Sequence, residues 1–289
     1  MSYWIVTDAG SDLPLDYVQS HGKFRVIPMP YRLDDREHRF GPGVDADLAD
    51  FYQKLTEGHT AATSQIPTAD YYAVFKELVS QGEALVYVSL SSGVSGSIQS
   101  AMIARDMLHE EYPDAKVAVV DSLCASMGLG LLVHYALKGR DEGMDMDALT
   151  EYLTDLRTKL NAWFTVDDLN FLFRGGRVTR TSALVGSMLR IKPVLHVDDE
   201  GKLIPMDKVQ GRKRSLRELA GKAIAAANPK RGQTMFISHG NCREDAQLVA
   251  QLIEEALPGT QFLVSPIGPV VGSHSGPGTV ALFFTGDHR

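Results

Sequence analysis

Cysteine is scarce: Cys124 and Cys242 are the only two in 289 residues, without Cys-x-x-Cys spacing, which excludes a disulfide framework or a thiolate zinc site. Both are expected as buried free thiols. The nine histidines form no His-x-x-x-His pair and no His-Glu-x-x-His motif, so no metal site is expected. Long hydrophobic runs are missing too. Stretches such as Gly128–Val133 fall far short of the ~20 residues needed to cross a bilayer, leaving at most transient contact with a membrane surface. The first residues run straight into an apolar strand pattern with no basic flank or signal-peptide run, so a cytoplasmic protein is expected. Neither G-x-x-x-x-G-K-[ST] nor a strand-following G-x-G-x-x-G occurs, which removes the usual nucleotide fingerprints. No cofactor is expected.

Positive charge is in deficit overall, with a net charge of −7 and a pI near 5.7, yet it gathers locally. Between Arg174 and Arg217 stand eleven Lys and Arg against four Asp and Glu, a net of +7. Such a stretch on an acidic protein suits a specific anionic ligand or an acidic partner; a solvated basic face is the alternative. Arg174, Arg177, Arg212, Lys213 and Arg214 are the candidate partner-docking residues. The stretch lacks interleaved aromatics, so nucleic acid is not an expected partner.

What is present is a globular composition, 44% hydrophobic and 22% charged, on a chain long enough for two domains. Trp4–Thr7, Phe24–Met29, Ala84–Leu90 and Lys116–Val120 are short, apolar and rich in Val and Ile, and read as neighbours in a mostly parallel sheet. Helical periodicity places Ile98, Ala101, Met102 and Leu108 on one face, and Leu123–Leu137 is apolar nearly all round, as a buried helix should be. Met144–Lys159 reads as an exposed helix closing an N-terminal α/β domain, residues 1–160. A second α/β domain, residues 161–289, is expected to hold a strand at Trp163–Val166, a helix near Ser182–Leu189, and a hairpin of Val194–Val197 with Lys202–Val209. A basic helix at Lys213–Ala227 and further strands at Met235–Ser238, Phe262–Val264 and Val280–Thr285 complete it.

Four loops gather hydroxyls and glycines: Asp8–Asp12, Thr63-Ser64-Gln65, Ser91–Ser97, and Gly272–Gly278 with His274. In open α/β sheets ligands bind at the carboxyl ends of strands. The Ser91–Ser97 loop leaves a strand and opens a helix, so its amides and the helix start favour a phosphate or a carboxylate. Gly93 and Gly96 permit close backbone approach there. The alternative is that Ser95 or Ser97 is simply an N-cap. Asp8, Ser11 and Asp12 could suggest a phosphatase centre, but no second Asp follows two residues after the first, and Asp12 reads as an Asx turn or cap.

In order along the chain stand Thr7-Asp-Ala-Gly-Ser-Asp-Leu-Pro14, Thr63-Ser-Gln65, Leu90-Ser-Ser-Gly-Val-Ser-Gly-Ser97, Val120-Asp-Ser-Leu-Cys-Ala-Ser-Met-Gly-Leu-Gly130, Arg174-Gly-Gly-Arg-Val178, Ile191-Lys-Pro193 and Gly268–Gly278. Together they resemble the DegV family, the fatty-acid-binding subunits of bacterial fatty acid kinase, over nearly the whole chain. The resemblance implies a two-domain α/β fold with a long-chain fatty acid, such as palmitate, buried between the domains. It further implies a carboxylate held by Thr63 and Ser95 with His274 nearby, supported by Ser64, Ser92, Gly93, Gly96 and Ser273. A separate fatty acid kinase catalytic subunit then phosphorylates the carboxylate, so this chain is expected to be a lipid-binding subunit of phospholipid metabolism and not itself an enzyme. Departures from the family pattern include Ala9, Ile66, Ile98 and Ser275, the last where an apolar residue is usual.

The rival reading is a serine hydrolase, since Ser95, Asp121 and His274 follow in the order Ser, Asp, His and Ser95 sits on a strand-to-helix turn. Against it, Ser97 stands where a nucleophile elbow needs its second glycine.

Overall fold

The computed structural model describes residues 3–44, 46–179, 191–230 and 232–289; the helix expected near Ser182–Leu189 lies outside them. Four short Val- and Ile-rich segments build a fully parallel sheet in the order Phe24–Ile27, Trp4–Asp8, Leu85–Ser89, Val117–Asp121. Ile5 stands opposite both Phe24 and Val86, and Leu85 opposite Val117. The central strand Leu85–Ser89 is buried along its whole length, which is why it reads as an unbroken apolar run.

A second sheet has six strands, in the order Leu203–Gln210, Ile191–Val197, Leu160–Thr165, Val280–Thr285, Thr234–His239, Gln261–Pro266. Its pairings are antiparallel except the last. The expected hairpin is its first pair. Asp198 Oδ1 accepts the Glu200 and Lys202 amides across the turn, and Gly201 has a φ of +72° that suits glycine. Between the sheets lies the helix Met127–Asp141, which packs on strands of both. Its all-round apolar sequence follows from that placement: Leu129, Leu131, Leu132 and Val133 are completely buried. At Gly128 a Cβ would stand 2.6 Å from the Phe283 ring, so only glycine lets helix and strand come this close. Met146–Leu156, expected as an exposed helix, is amphipathic and buries Leu149, Leu153 and Leu156.

A third, antiparallel sheet of Arg36–Phe40, Met29–Leu33 and Ala61–Thr63 was not expected from the sequence. The Phe24–Met29 run divides, giving its end to this sheet. Tyr31 on it packs with Phe51, Tyr52 and Leu55 of the helix Leu48–Thr56 in a small separate core. Of the two cysteines, Cys124 is buried as expected, whereas Cys242 is only half-buried. Burial raises the Cys242 thiol to about 11, so it is unreactive near neutrality.

Candidate functional site

Leu85–Ser89 ends in a loop that becomes the helix Ser97–Glu111, as its sequence suggested. This loop is fixed by the second half of the chain. Ser91 Oγ–H donates to Gly201 O at 2.9 Å and accepts the Gly93 amide at 3.0 Å, while a Cβ at Gly93 would lie 2.6 Å from the Gly201 backbone. The hairpin turn of the second sheet therefore seats directly on the loop. Ser95 Oγ accepts the Ser97 amide at 3.2 Å and donates to Ser97 Oγ at 3.0 Å, so it satisfies one helix-start donor. Its capping role and its position in a cavity wall coexist.

Thr63 ends the strand Ala61–Thr63, and its hydroxyl meets His274 Nε2 at 2.7 Å. The segment expected as a histidine loop is a short helix, Pro269–Ser275: Pro269 occupies its first turn and Gly276, at φ +75°, ends it. Asp12, which caps the short 3-10 turn Ala9–Ser11, pins its beginning by accepting the Gly268 amide at 2.8 Å, a link across the molecule that its sequence did not suggest. Gly175 closes on the other side of the imidazole, where a Cβ would overlap Nδ1. Burial above all, then the Arg177 guanidinium, holds the His274 ring down to about 4, so it is neutral at physiological pH.

Arg177, expected on a partner face, stands in the cavity wall instead. Its Nε donates to Val94 O at 3.1 Å and its Nη1 to Gly175 O at 2.5 Å, and burial lowers its pKa. The other basic candidates separate. Arg212 is committed to Asp245 at 2.7 Å and lies 3.7 Å from Asp167. Arg174 lies over the Phe171 ring at 4.6 Å with its residue exposed, and Lys213 and Arg214 are exposed.

Thr63, Ser64, Ser95, Gly96, Arg177 and His274 thus all line one cavity of about 200 Å³. Phe164, Leu172, Val197, Leu203, Val270 and Phe283 form apolar walls around it, and the lining draws on both halves of the chain. Three supporting residues lie elsewhere: Ser92 is exposed, its amide bonded to Asp121 Oδ1 at 3.2 Å, Gly93 packs against the Gly201 backbone, and Ser273 Oγ turns back to Pro269 O at 2.6 Å. Ser126 and Thr279 also line the cavity and were not singled out; so do Gln65, named in the sequence only as part of its loop, and Ser275, noted there only as an unusual residue. Ser126 stands in the quoted Val120–Gly130 motif, but its hydroxyl is held by Asp12 at 2.6 Å and Ser238 at 2.8 Å, both more than a hundred residues away.

The serine-hydrolase triad is not assembled. Asp121 Oδ1 accepts the amides of Ser92 and Leu123, His274 Nδ1 has no hydrogen-bond partner, and Ser95 Oγ bonds Ser97. A triad histidine needs a carboxylate on one nitrogen and the nucleophile on the other.

The architecture and site together define a layered α/β protein in which hydroxyls, a neutral histidine and an arginine guard an apolar cavity. The chain belongs to the DegV family, whose profile, described as uncharacterised protein, DegV family, matches residues 2–287. It is 39% identical over 287 residues to the DegV domain-containing protein CPE0026 of Clostridium perfringens, covering 99% of this chain and 98% of that one. Among solved structures, a fatty-acid-binding DegV family protein from Thermus thermophilus superimposes with a TM-score of 0.88 at 30% identity, covering 99% and 100% of the two chains. A DegV lipid-binding protein from Thermotoga maritima gives 0.85 at 25% identity, with both chains covered completely.

Proposed function

We propose that this chain binds a long-chain fatty acid in the cavity, with the carboxylate at the Thr63–Ser95–His274 end, and presents it to a separate kinase subunit for acyl-phosphate formation. In this reading residues 1–160 and 161–289 form the two domains between which the acid lies. The observation that carries it is the juxtaposition of an apolar cavity with the Thr63–His274 pair at its polar end. A neutral His274 protonated on Nε2 donates to Thr63 Oγ1, which leaves the Thr63 proton free for a carboxylate. Ser95 turns its own proton to the same oxygens while still accepting the Ser97 amide. Arg177 supplies the positive charge that the neutral imidazole does not.

A sixteen-carbon tail buries about fourteen methylenes, a gross gain above ~10 kcal/mol at ~0.8 each, before association costs. The polar end supplies orientation, at about 1.5–3 kcal/mol for each hydrogen bond to the ionised carboxylate. Thr63→Val and Ser95→Ala are each expected to weaken palmitate binding by about 10- to 100-fold in calorimetric titration, and to slow acyl-phosphate formation by a fatty acid kinase catalytic subunit. Wild-type affinity in both variants would overturn the assignment.

A further inference from the structure

A second cavity, of about 580 Å³, shares Thr63 and Ser64 with the first. Its character is different. Where Phe, Leu and Val wall the acyl cavity, this one is lined by Arg32, Glu37, His38 and Arg39 of the small third sheet. Arg32 stands directly opposite both Glu37 and Ala62, so these side chains share one face of that sheet. Most of the positive charge around the shared residues is already engaged. Arg39 pairs with Asp70, Arg177 is tied to the carbonyls of Val94 and Gly175, and His274 is neutral. Arg32 is the exception: it is exposed, and among the described residues its side chain has no ion pair and no hydrogen bond. Glu37 and the exposed Ser64 hydroxyl have none either.

An acid whose carboxylate lies at Thr63 fills the apolar cavity with its tail, so a group added to that carboxylate has the polar cavity to enter. A phosphate added there carries about −1.5 to −2 charges at neutral pH and three strong acceptor oxygens. That is more negative charge than Arg177 alone offsets. We propose that the polar cavity holds the phosphate of an acyl phosphate, with the Arg32 guanidinium as its free cation and the Ser64 hydroxyl as a donor to it. The proposal rests on the fatty-acid reading and deepens it, since it separates the residue that receives the phosphate of the product from those that hold the carboxylate of the substrate. A guanidinium presents its N–H groups as a planar fork that matches two phosphate oxygens. Glu37, across the strand from it, opposes the anion.

The test compares two ligands by calorimetric titration: palmitate, and (2-oxoheptadecyl)phosphonic acid, which is palmitoyl phosphate with a CH2 group in place of the bridging oxygen and so resists hydrolysis. Arg32→Ala should weaken phosphonate binding about three- to fivefold at low salt and less at high salt, as an exposed charge pair does, with palmitate affinity unchanged. Glu37→Gln should tighten phosphonate binding by about twofold or more, again without effect on palmitate. An Arg32→Ala variant that changes neither affinity, or both alike, overturns this inference and leaves fatty-acid binding standing. Wild-type protein that binds palmitate but not the phosphonate does the same. Failure of wild type to bind either ligand overturns both readings. Should Arg32→Ala fold poorly, Glu37→Gln carries the test by itself, because its effect has the opposite sign: phosphonate affinity that does not rise overturns the inference.

Discussion

Asp12 offers a demanding test of how the site is held. Its carboxylate accepts the Gly268 amide at 2.8 Å and the Ser126 hydroxyl at 2.6 Å, and its carbonyl accepts Ser265 Oγ–H at 2.8 Å. Gly268 begins the helix that carries His274, and Ser126 stands in the cavity wall. Burial is the main cause that raises this carboxyl from 3.8 to about 7; the Ser126 and Gly268 bonds oppose it and Asp8 adds a smaller push upward. A carboxyl raised on folding contributes stability that is complete below its unfolded pKa and is lost as pH climbs through its folded one. From pH 5 to 7, at somewhat over ~1 kcal/mol per unit, wild type loses on the order of 3 kcal/mol. Asp12→Asn fixes the neutral form: its Oδ1 keeps the Gly268 amide, and its NH2 donates to Ser126 Oγ, which turns its proton to Ser238. Scanning calorimetry at pH 5 and pH 8 should show the Tm of the variant, relative to wild type, rising by about 5 °C between the two, at roughly 2 °C per kcal/mol for a chain of this size. A Tm difference that is the same at both pH values would refute the reasoning.

Other consequences follow from the site. Gly175→Ala pushes a methyl into His274 Nδ1, and should weaken acyl binding about tenfold by tilting the ring off Thr63, while its ordinary backbone conformation leaves the fold intact in circular dichroism. Because burial and Arg177 hold His274 down to about 4, it stays neutral from pH 6 to 8. The ratio of palmitate affinities between wild type and His274→Gln should therefore be constant over that range; a ratio that climbs toward pH 6 would mean that a charged imidazole takes part. Reversal of exposed Lys213 and Arg214 to Glu, with Arg212 left on Asp245, should weaken association with the kinase subunit at low salt and matter less at high salt. Unchanged pull-down at low salt would remove that face from the partner surface.

The parallel strands were legible because burial on both sides demands unbroken apolar runs, as in Leu85-Val-Tyr-Val-Ser89. The buried helix at Met127–Asp141 declared itself in the same way. The third sheet did not: Arg36-Glu-His-Arg-Phe40 is nearly all exposed, so it carries no alternation, and Ala61–Thr63 is too short to show a period. The glycines and serines of Gly268–Gly278 disguised a seven-residue helix whose start is held by Asp12, 256 residues earlier in the chain. At the site, the hydroxyl- and glycine-rich loops were visible because close backbone approach to an anion restricts residue choice. Arg177 was visible as a charge but not as a cavity residue, since charge counting cannot tell a surface guanidinium from one tied to Val94 and Gly175. Ser126 stood in a quoted motif, but its place in the wall depends on Asp12 and Ser238, both distant in sequence.

Lipid extraction from the gently purified native protein, followed by mass spectrometry, tests the central claim most directly. The expected result is a long-chain carboxylic acid in near-stoichiometric amount, and less of it from Thr63→Val prepared in parallel. Recovery of no acyl chain from the wild-type protein would contradict it.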